Sequence, residues 1–350
     1  MKNRIYSLDF LKIIATIFIF FHHYQQLVGG VFEGGINFFG GRFNFGYMVE
    51  LLFMLSGFFM YPYVKQIYSG LTMKQFMIKR IKRLLPLVAI CAVGFQVIAL
   101  MYYHLFGRLE WFFDTKQVWY LMVAAIGMQR GWVFDDIIYV NYPVWYISVL
   151  LLCYVFFWLG TAVCKKLHTS SRYFMLIMIF WGMIINNYEL NGPFMVDYTA
   201  RGYISFFTGL LIASYFYDKG VSKKAVWTSV IILIVLSTLY IFKPECLEEG
   251  FVYLLCFLFY PSIIIIFSSK IVQRVFSFPV WSRIADITFN GFMWHYSVII
   301  LVLMILFGAP DVFNWYSRFG MLVFLLMVLA AGCVSHFLIE NLLLKKCLKL

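Results

Sequence analysis

The sequence predicts an all-α, polytopic membrane helix bundle of about ten transmembrane helices with both termini cytoplasmic. Three observations predict it. Of 350 residues, 63% are hydrophobic and only 13% charged, with a mean hydropathy of +0.86. Soluble domains carry roughly 25% charged residues, and one or two soluble cores could not hide so much apolar surface. Ten stretches approach the roughly 20 apolar residues needed to span hydrocarbon as a helix. Finally, Lys and Arg alternate between loops in the way that sets orientation.

In chain order the ten stretches are 8–28, 45–63, 84–106, 143–163, 172–189, 199–217, 225–242, 250–269, 284–307 and 317–344. The first follows Lys2 and Arg4 as a signal peptide would. It carries Asp9, Lys12, His22 and His23 and lacks a clear small-residue cleavage site, so it reads as a retained helix. With the N-terminus inside, the cytoplasmic segments 1–7, 64–83, 164–172, 218–224, 270–283 and 345–350 hold twenty Lys/Arg against six in the outer loops. The acids run the other way, eleven outside and one, Asp218, inside. An eleventh candidate, 117–129, is short and ends at Arg130; counting it as a crossing would invert every later loop, so it reads as interfacial or re-entrant. The longest loop, 107–142, falls outside and carries Trp111, Trp119, Trp132, Asp114, Asp135 and Asp136, enough chain to cap a site from that face. Residues 1–350 read as a single domain with no appended soluble domain.

The net charge of +12 would suggest nucleic acid in a soluble protein; here the positive-inside loops account for it, and no nucleic-acid partner is expected. Seven scattered cysteines form no C-x-x-C pair or metal-ligand spacing and read as small buried hydrophobes, so no metal is expected.

Ionisable groups in hydrocarbon cost about 3 kcal/mol each on insertion scales and are functional candidates by default. Asp9, Lys12 and His23 share a face of the first helix, because eleven residues make three turns. His23 would sit about 22 Å above the cytoplasmic edge and Glu50 about 7–8 Å below the outer edge of helix two. In a core about 30 Å thick those depths coincide. The two could form a hydrogen-bonded pair in which the carboxylate fixes the imidazole tautomer. They could equally serve as interhelical glue or as steps in a proton path.

The first cytoplasmic loop ends in Lys79-Arg80-Ile-Lys82-Arg83. Arg80 and Arg83 are three apart and face one way on a helix, and arginine suits bidentate phosphate binding. An ordinary positive-inside cluster against anionic headgroups has the same appearance. Ser56-Gly57 is a small pair in mid-helix two, as helix packing uses. Trp145 opens helix four at the outer interface, His295 lies near mid-membrane, and His336 and Glu340 share a face of the last helix.

These residues together resemble the acyltransferase-3 family of membrane acyltransferases. Arg4 to Lys12, then ten residues, then His23 is similar to the family's opening signature, although Lys12 stands where an Arg is usual. Gly46 to Phe58, with Glu50 and Ser56-Gly57-Phe58, resembles its second-helix motif, and Arg80-x-x-Arg83-x-x-Pro86 its basic motif. Trp145-x-x-Ser148, Gly291-Phe-Met-Trp-His295 and Glu340 follow in matching order. Leu150, Leu151 and Leu342 depart from residues common in the family. The resemblance implies transfer of an acyl group, most often acetyl from acetyl-CoA, onto a hydroxyl of a surface glycan or lipid-linked saccharide at the cytoplasmic (plasma) membrane. It implies no bound cofactor, with acyl-CoA as co-substrate. On it, His23 with Glu50 would be catalytic, and Arg80, Arg83, Lys79 and Lys82 would hold the donor. Asp9, Lys12, Ser56, Trp145, His295 and Glu340 would line the passage. A non-enzymatic flippase or exporter of lipid-linked sugar, or a scaffold for a polysaccharide synthase, would use the same polar residues differently.

Overall fold

A computed structural model of the chain describes residues 4–33, 35–107, 118–132, 140–247 and 250–344, with the backbone alone at 342–344. Trp111, Asp114, Asp135 and Asp136 of the long loop, and the basic residues of 1–3 and 345–350, lie outside the described residues. Every one of the ten predicted stretches is largely helical. The helices are α1 (Tyr6–Leu27), α2 (Met48–Met60), α3 (Pro62–Tyr68), α4 (Met73–Phe106), α5 (Val118–Ala125), α6 (Val144–Lys166) and α7 (Ser171–Asn187). After them come α8 (Asp197–Lys219), α9 (Lys223–Phe242), α10 (Phe251–Leu254), α11 (Tyr260–Phe267), α12 (Lys270–Val275), α13 (Val280–Gly308) and α14 (Arg318–Val334). No strand occurs among the described residues.

Six helices, α1, α4, α6, α9, α13 and α14 with its extension, are long and apolar enough to cross a membrane by themselves. A seventh crossing is available if α2 and α3 act as one span, bent by 43° beside Pro62. The remaining predicted spans depart from a straight apolar rod. α7 has 17 residues, α8 carries Asp197, Arg201, Asp218 and Lys219, and α10 joins α11 through a π-helical turn at Leu255–Phe259. Among its described residues, the 117–129 candidate contains only the 8-residue α5, about 12 Å of helix, far short of a span.

Local chemistry sets the helix boundaries. Thr72 and Gln75 form a reciprocal capping box at the start of α4, and Gly107, at φ 64°, ends it. Serines at 170, 222, 269 and 317 cap α7, α9, α12 and α14. The last ten residues of the final helix, Ser335–Leu344, are π-helical, a rare geometry associated with functional sites.

Close helix approach rests on glycine, as expected where lipid supplies no hydrophobic drive between helices. α2 and α8 touch backbone to backbone: a Cβ on Gly57 would collide with the Phe206 carbonyl oxygen, and one on Gly209 with that of Met54. A Gly57→Ala substitution is therefore expected to cost about 1–3 kcal/mol by overpacking. A lowered thermal midpoint in detergent checks it, and an unchanged midpoint would place the α2–α8 contact elsewhere. α1 packs against α2, α13 and α14, within the bundle.

Candidate functional site

A cavity of about 590 Å³ opens at the end of the bundle where α1 begins and α2 ends. Each wall follows helical spacing. α1 contributes Asp9, Lys12 and Thr16; α4 contributes Lys79, Arg80 and Arg83; α13 contributes Asp286, Phe289 and Phe292. Ser56 from α2 lines it too, its hydroxyl 3.0 Å from that of Tyr146 on α6. Five cations, Arg4, Lys12, Lys79, Arg80 and Arg83, face two carboxylates, Asp9 and Asp286, so the lining is strongly positive. Such a pocket concentrates polyanions.

The cations are held in different ways. Asp9, buried, takes Arg4 Nε at 2.7 Å and Lys12 Nζ at 3.9 Å, and Lys12 also sits 4.1 Å from the Phe59 ring centre. Arg83 reaches Asp286 at 3.7 Å with 70% of its side chain exposed, a contact worth under about 1 kcal/mol and easily exchanged. Arg80 is buried and has no carboxylate partner among the described residues. It donates to the Phe76 carbonyl at 2.9 Å and lies 3.7 Å and 4.1 Å from the ring centres of Phe76 and Tyr63. Cation–π contacts substitute for an anion there. Lys82, expected to help, is exposed and does not line the cavity.

Beyond the cavity roof stand the imidazoles. Phe292 lines the roof; His295, one turn further along α13, stacks on His23 with ring centres 5.4 Å apart. His295 is buried, its Nδ1 2.6 Å from the Phe292 carbonyl. A carbonyl only accepts, so Nδ1 carries the proton. Nε2 is then a lone pair, buried without a hydrogen-bond partner among the described residues. His23 Nδ1 lies 2.9 Å from Gln26 Oε1 and 3.1 Å from the Tyr296 hydroxyl. The amide oxygen fixes the proton on Nδ1 and leaves Nε2 as the basic atom.

The expected His23–Glu50 pair does not form. Glu50 is buried, but its Oε1 accepts from Arg201 Nε at 2.5 Å, and Oε2 has no partner among the described residues. Depth alone could not decide between the imidazole and a guanidinium arriving from α8, and the guanidinium is the stronger partner. Arg201 also donates to the Gly46 carbonyl at 3.3 Å and lies 5.3 Å from the Trp145 ring centre. Trp145 thus belongs to the Glu50–Arg201 cluster, and neither Trp145 nor Glu50 lines the cavity. Ser148 of the same motif clamps the outer-loop stretch: its hydroxyl donates to the Arg130 carbonyl at 2.5 Å, and its carbonyl accepts from Trp132 Nε1 at 3.0 Å. Glu340 lies in the π-helical extension, taking His336 Nδ1 at 2.9 Å and Asn290 Nδ2 at 3.0 Å, and does not line the cavity.

Sequence reasoning missed Arg201, Gln26 and the ring pair around Arg80. Arg201 had a signal: it stands three residues into an apolar stretch, and an internal Arg needs a buried partner. Gln26, three residues after His23, was recoverable from helical spacing.

Comparison with known proteins adds the family. No curated protein and no solved structure matches the chain. The family model described as an acyltransferase domain matches residues 5–338, nearly the whole length. It takes in the basic cavity apart from Arg4, both stacked imidazoles and the Glu50–Arg201 pair alike: the chain belongs to the acyltransferase-3 family.

Proposed function

We propose that this protein is a membrane O-acyltransferase that moves an acyl group, acetyl in the simplest case, from cytoplasmic acyl-CoA to a hydroxyl of a surface glycan or lipid-linked saccharide. One observation carries the reading: a basic cavity at one end of the bundle, roofed by Phe292, adjoins two stacked imidazoles. On this reading the chain crosses the plasma membrane ten times with both ends inside, as the loop charges favour. Arg83 gives up Asp286 for a donor phosphate, while Arg80, Lys79 and Lys12 add positive field. Ser56 and the Asp9–Lys12 pair line the lower passage along which the thioester arm rises.

At the roof, His23 Nε2 takes the proton of the acceptor hydroxyl as its oxygen bonds to the thioester carbonyl carbon. The C–S bond then breaks, and the departing thiolate takes the proton back from the imidazolium. Glu50 holds Arg201 and the outer wall rather than the base.

The test uses purified protein and radiolabelled acetyl-CoA. Wild type is expected to bind it, and Arg83→Ala to weaken binding by about tenfold, the value of one lost charge-assisted contact. A wild type that ignores acetyl-CoA yet moves lipid-linked sugar between leaflets would make the protein a flippase or exporter instead. Unchanged donor affinity in Arg83→Ala would remove the phosphate assignment.

A further inference from the structure

At Phe292 the basic cavity and the imidazoles are one ring apart. Phe289, Phe292 and His295 follow one another at three-residue steps along one face of α13. Phe289 and Phe292 line the cavity. The Phe292 ring centre lies 5.5 Å from that of His295, which lies 5.4 Å from that of His23. Phe292 therefore has the cavity on one side and an imidazole on the other. Tyr146 of α6 also lines the cavity and meets Phe292 edge to face at 5.6 Å.

The two rings are held differently. The Tyr146 hydroxyl lies 3.0 Å from that of Ser56, and its ring packs on Phe53 at 4.5 Å. Phe292 has no polar side-chain atom to tether it, and the cavity it borders is open space into which the ring can turn about χ1. Its backbone is fixed. The Phe292 carbonyl accepts from His295 Nδ1 at 2.6 Å, and a Cβ on Gly291 would fall 3.3 Å from the Val328 carbonyl oxygen, close packing that pins α13 to α14. Tyr146 is a fixed post and Phe292 a movable leaf.

The order of atoms in an acyl thioester gives that leaf a consequence. With the donor phosphates among the cations, the acyl group is the leading end of the arm. Its carbonyl carbon has to meet an acceptor oxygen whose proton goes to His23 Nε2. Every carbon beyond the carbonyl then lies on the imidazole side of Phe292. That side is filled: Phe20 and Tyr296, both buried, pack on His295 at 5.2 Å and 5.0 Å. Interiors packed in this way hold little spare volume. The acyl tail has the room that one phenyl ring gives up.

We propose that Phe292 sets the length of the transferred acyl group: its ring turns into the cavity to admit the thioester carbonyl, and the space it vacates accepts acetyl and turns away longer chains. The proposal rests on the transfer reading above and narrows its donor to short-chain acyl-CoA. The test gives purified protein radiolabelled acetyl-, butyryl- and hexanoyl-CoA, with a lipid-linked saccharide extract of the producing cell as acceptor, beside equilibrium binding of unacylated CoA. Wild type is expected to favour acetyl over butyryl in kcat/KM by about 10–200-fold, the discrimination that a filled pocket exerts on an added methylene. Phe292→Ala should shrink that preference about tenfold and raise hexanoyl transfer, with Phe292→Leu in between and CoA still bound. An acetyl-to-butyryl ratio that stays at the wild-type value in both variants, or a wild type that uses the two alike, would overturn the assignment. Where Phe292→Ala loses CoA binding and so its fold, the ratio in Phe292→Leu decides. A wild type that transfers no acyl group from any of these donors would sink the transfer reading instead.

Discussion

A His23→Ala protein is expected to bind acetyl-CoA as wild type does and to transfer acyl groups about 10²–10⁴ times more slowly, the range that a positioned general base supplies. The cavity proposed for the donor is lined by α1, α2, α4, α6 and α13 side chains among others, and the His23 ring is not part of its lining. Donor binding and chemistry should therefore separate. Single-turnover acyl transfer beside equilibrium binding reads both. A parallel Gln26→Leu variant removes the acceptor that fixes the Nδ1 proton. It frees the ring to adopt the other tautomer, so its rate should fall between those of wild type and His23→Ala. Full transfer by His23→Ala would move the base to His295, whose Nε2 is the other unclaimed lone pair.

Glu50→Ala is expected to destabilise the fold by about 3–5 kcal/mol, because Arg201, mostly buried, would lose its carboxylate partner and keep only the Gly46 carbonyl, the Trp145 face and the more distant Asp197. Substituting both residues by leucine should recover most of that loss, since a buried pair replaced by apolar side chains is often neutral or better. Unfolding in detergent of the single and double variants measures the two effects. The experiment also discriminates between roles. If Glu50 served the imidazole, as its depth in the sequence suggests, Glu50→Ala would slow transfer and leave the unfolding midpoint alone.

Much of the architecture was legible because membrane helices announce themselves in runs of apolar residues, and all ten stretches are largely helical. The grouping of Asp9, Lys12, Ser56, Lys79, Arg80 and Arg83 around one cavity was also legible, since helix spacing fixes faces and short loops fix neighbours. What spacing could not reach was the identity of partners across the bundle. Glu50 and His23 stand on consecutive helices, yet α2 packs most intimately with α8, where Gly57 and Gly209 bring the backbones together and carry Arg201 to Glu50. The choice of partner was made by two glycines some 150 residues apart in sequence, a relation that no local pattern encodes. Likewise, the two positions of the basic motif, Arg80 and Arg83, read alike in sequence but differ in burial, one inside aromatic rings and one in solvent.

The rings around Arg80 have a consequence for the resting protein. A guanidinium balanced by π-electrons rather than by an acid keeps its full charge, so the empty chamber draws mobile anions from the surrounding water. Were the proposed acyl-CoA to enter, its phosphates would displace these anions, an ion exchange driven partly by the entropy of the expelled counter-ions. Ionic strength, by screening over about 8 Å at physiological levels, would then tune how fully the proposed donor loads.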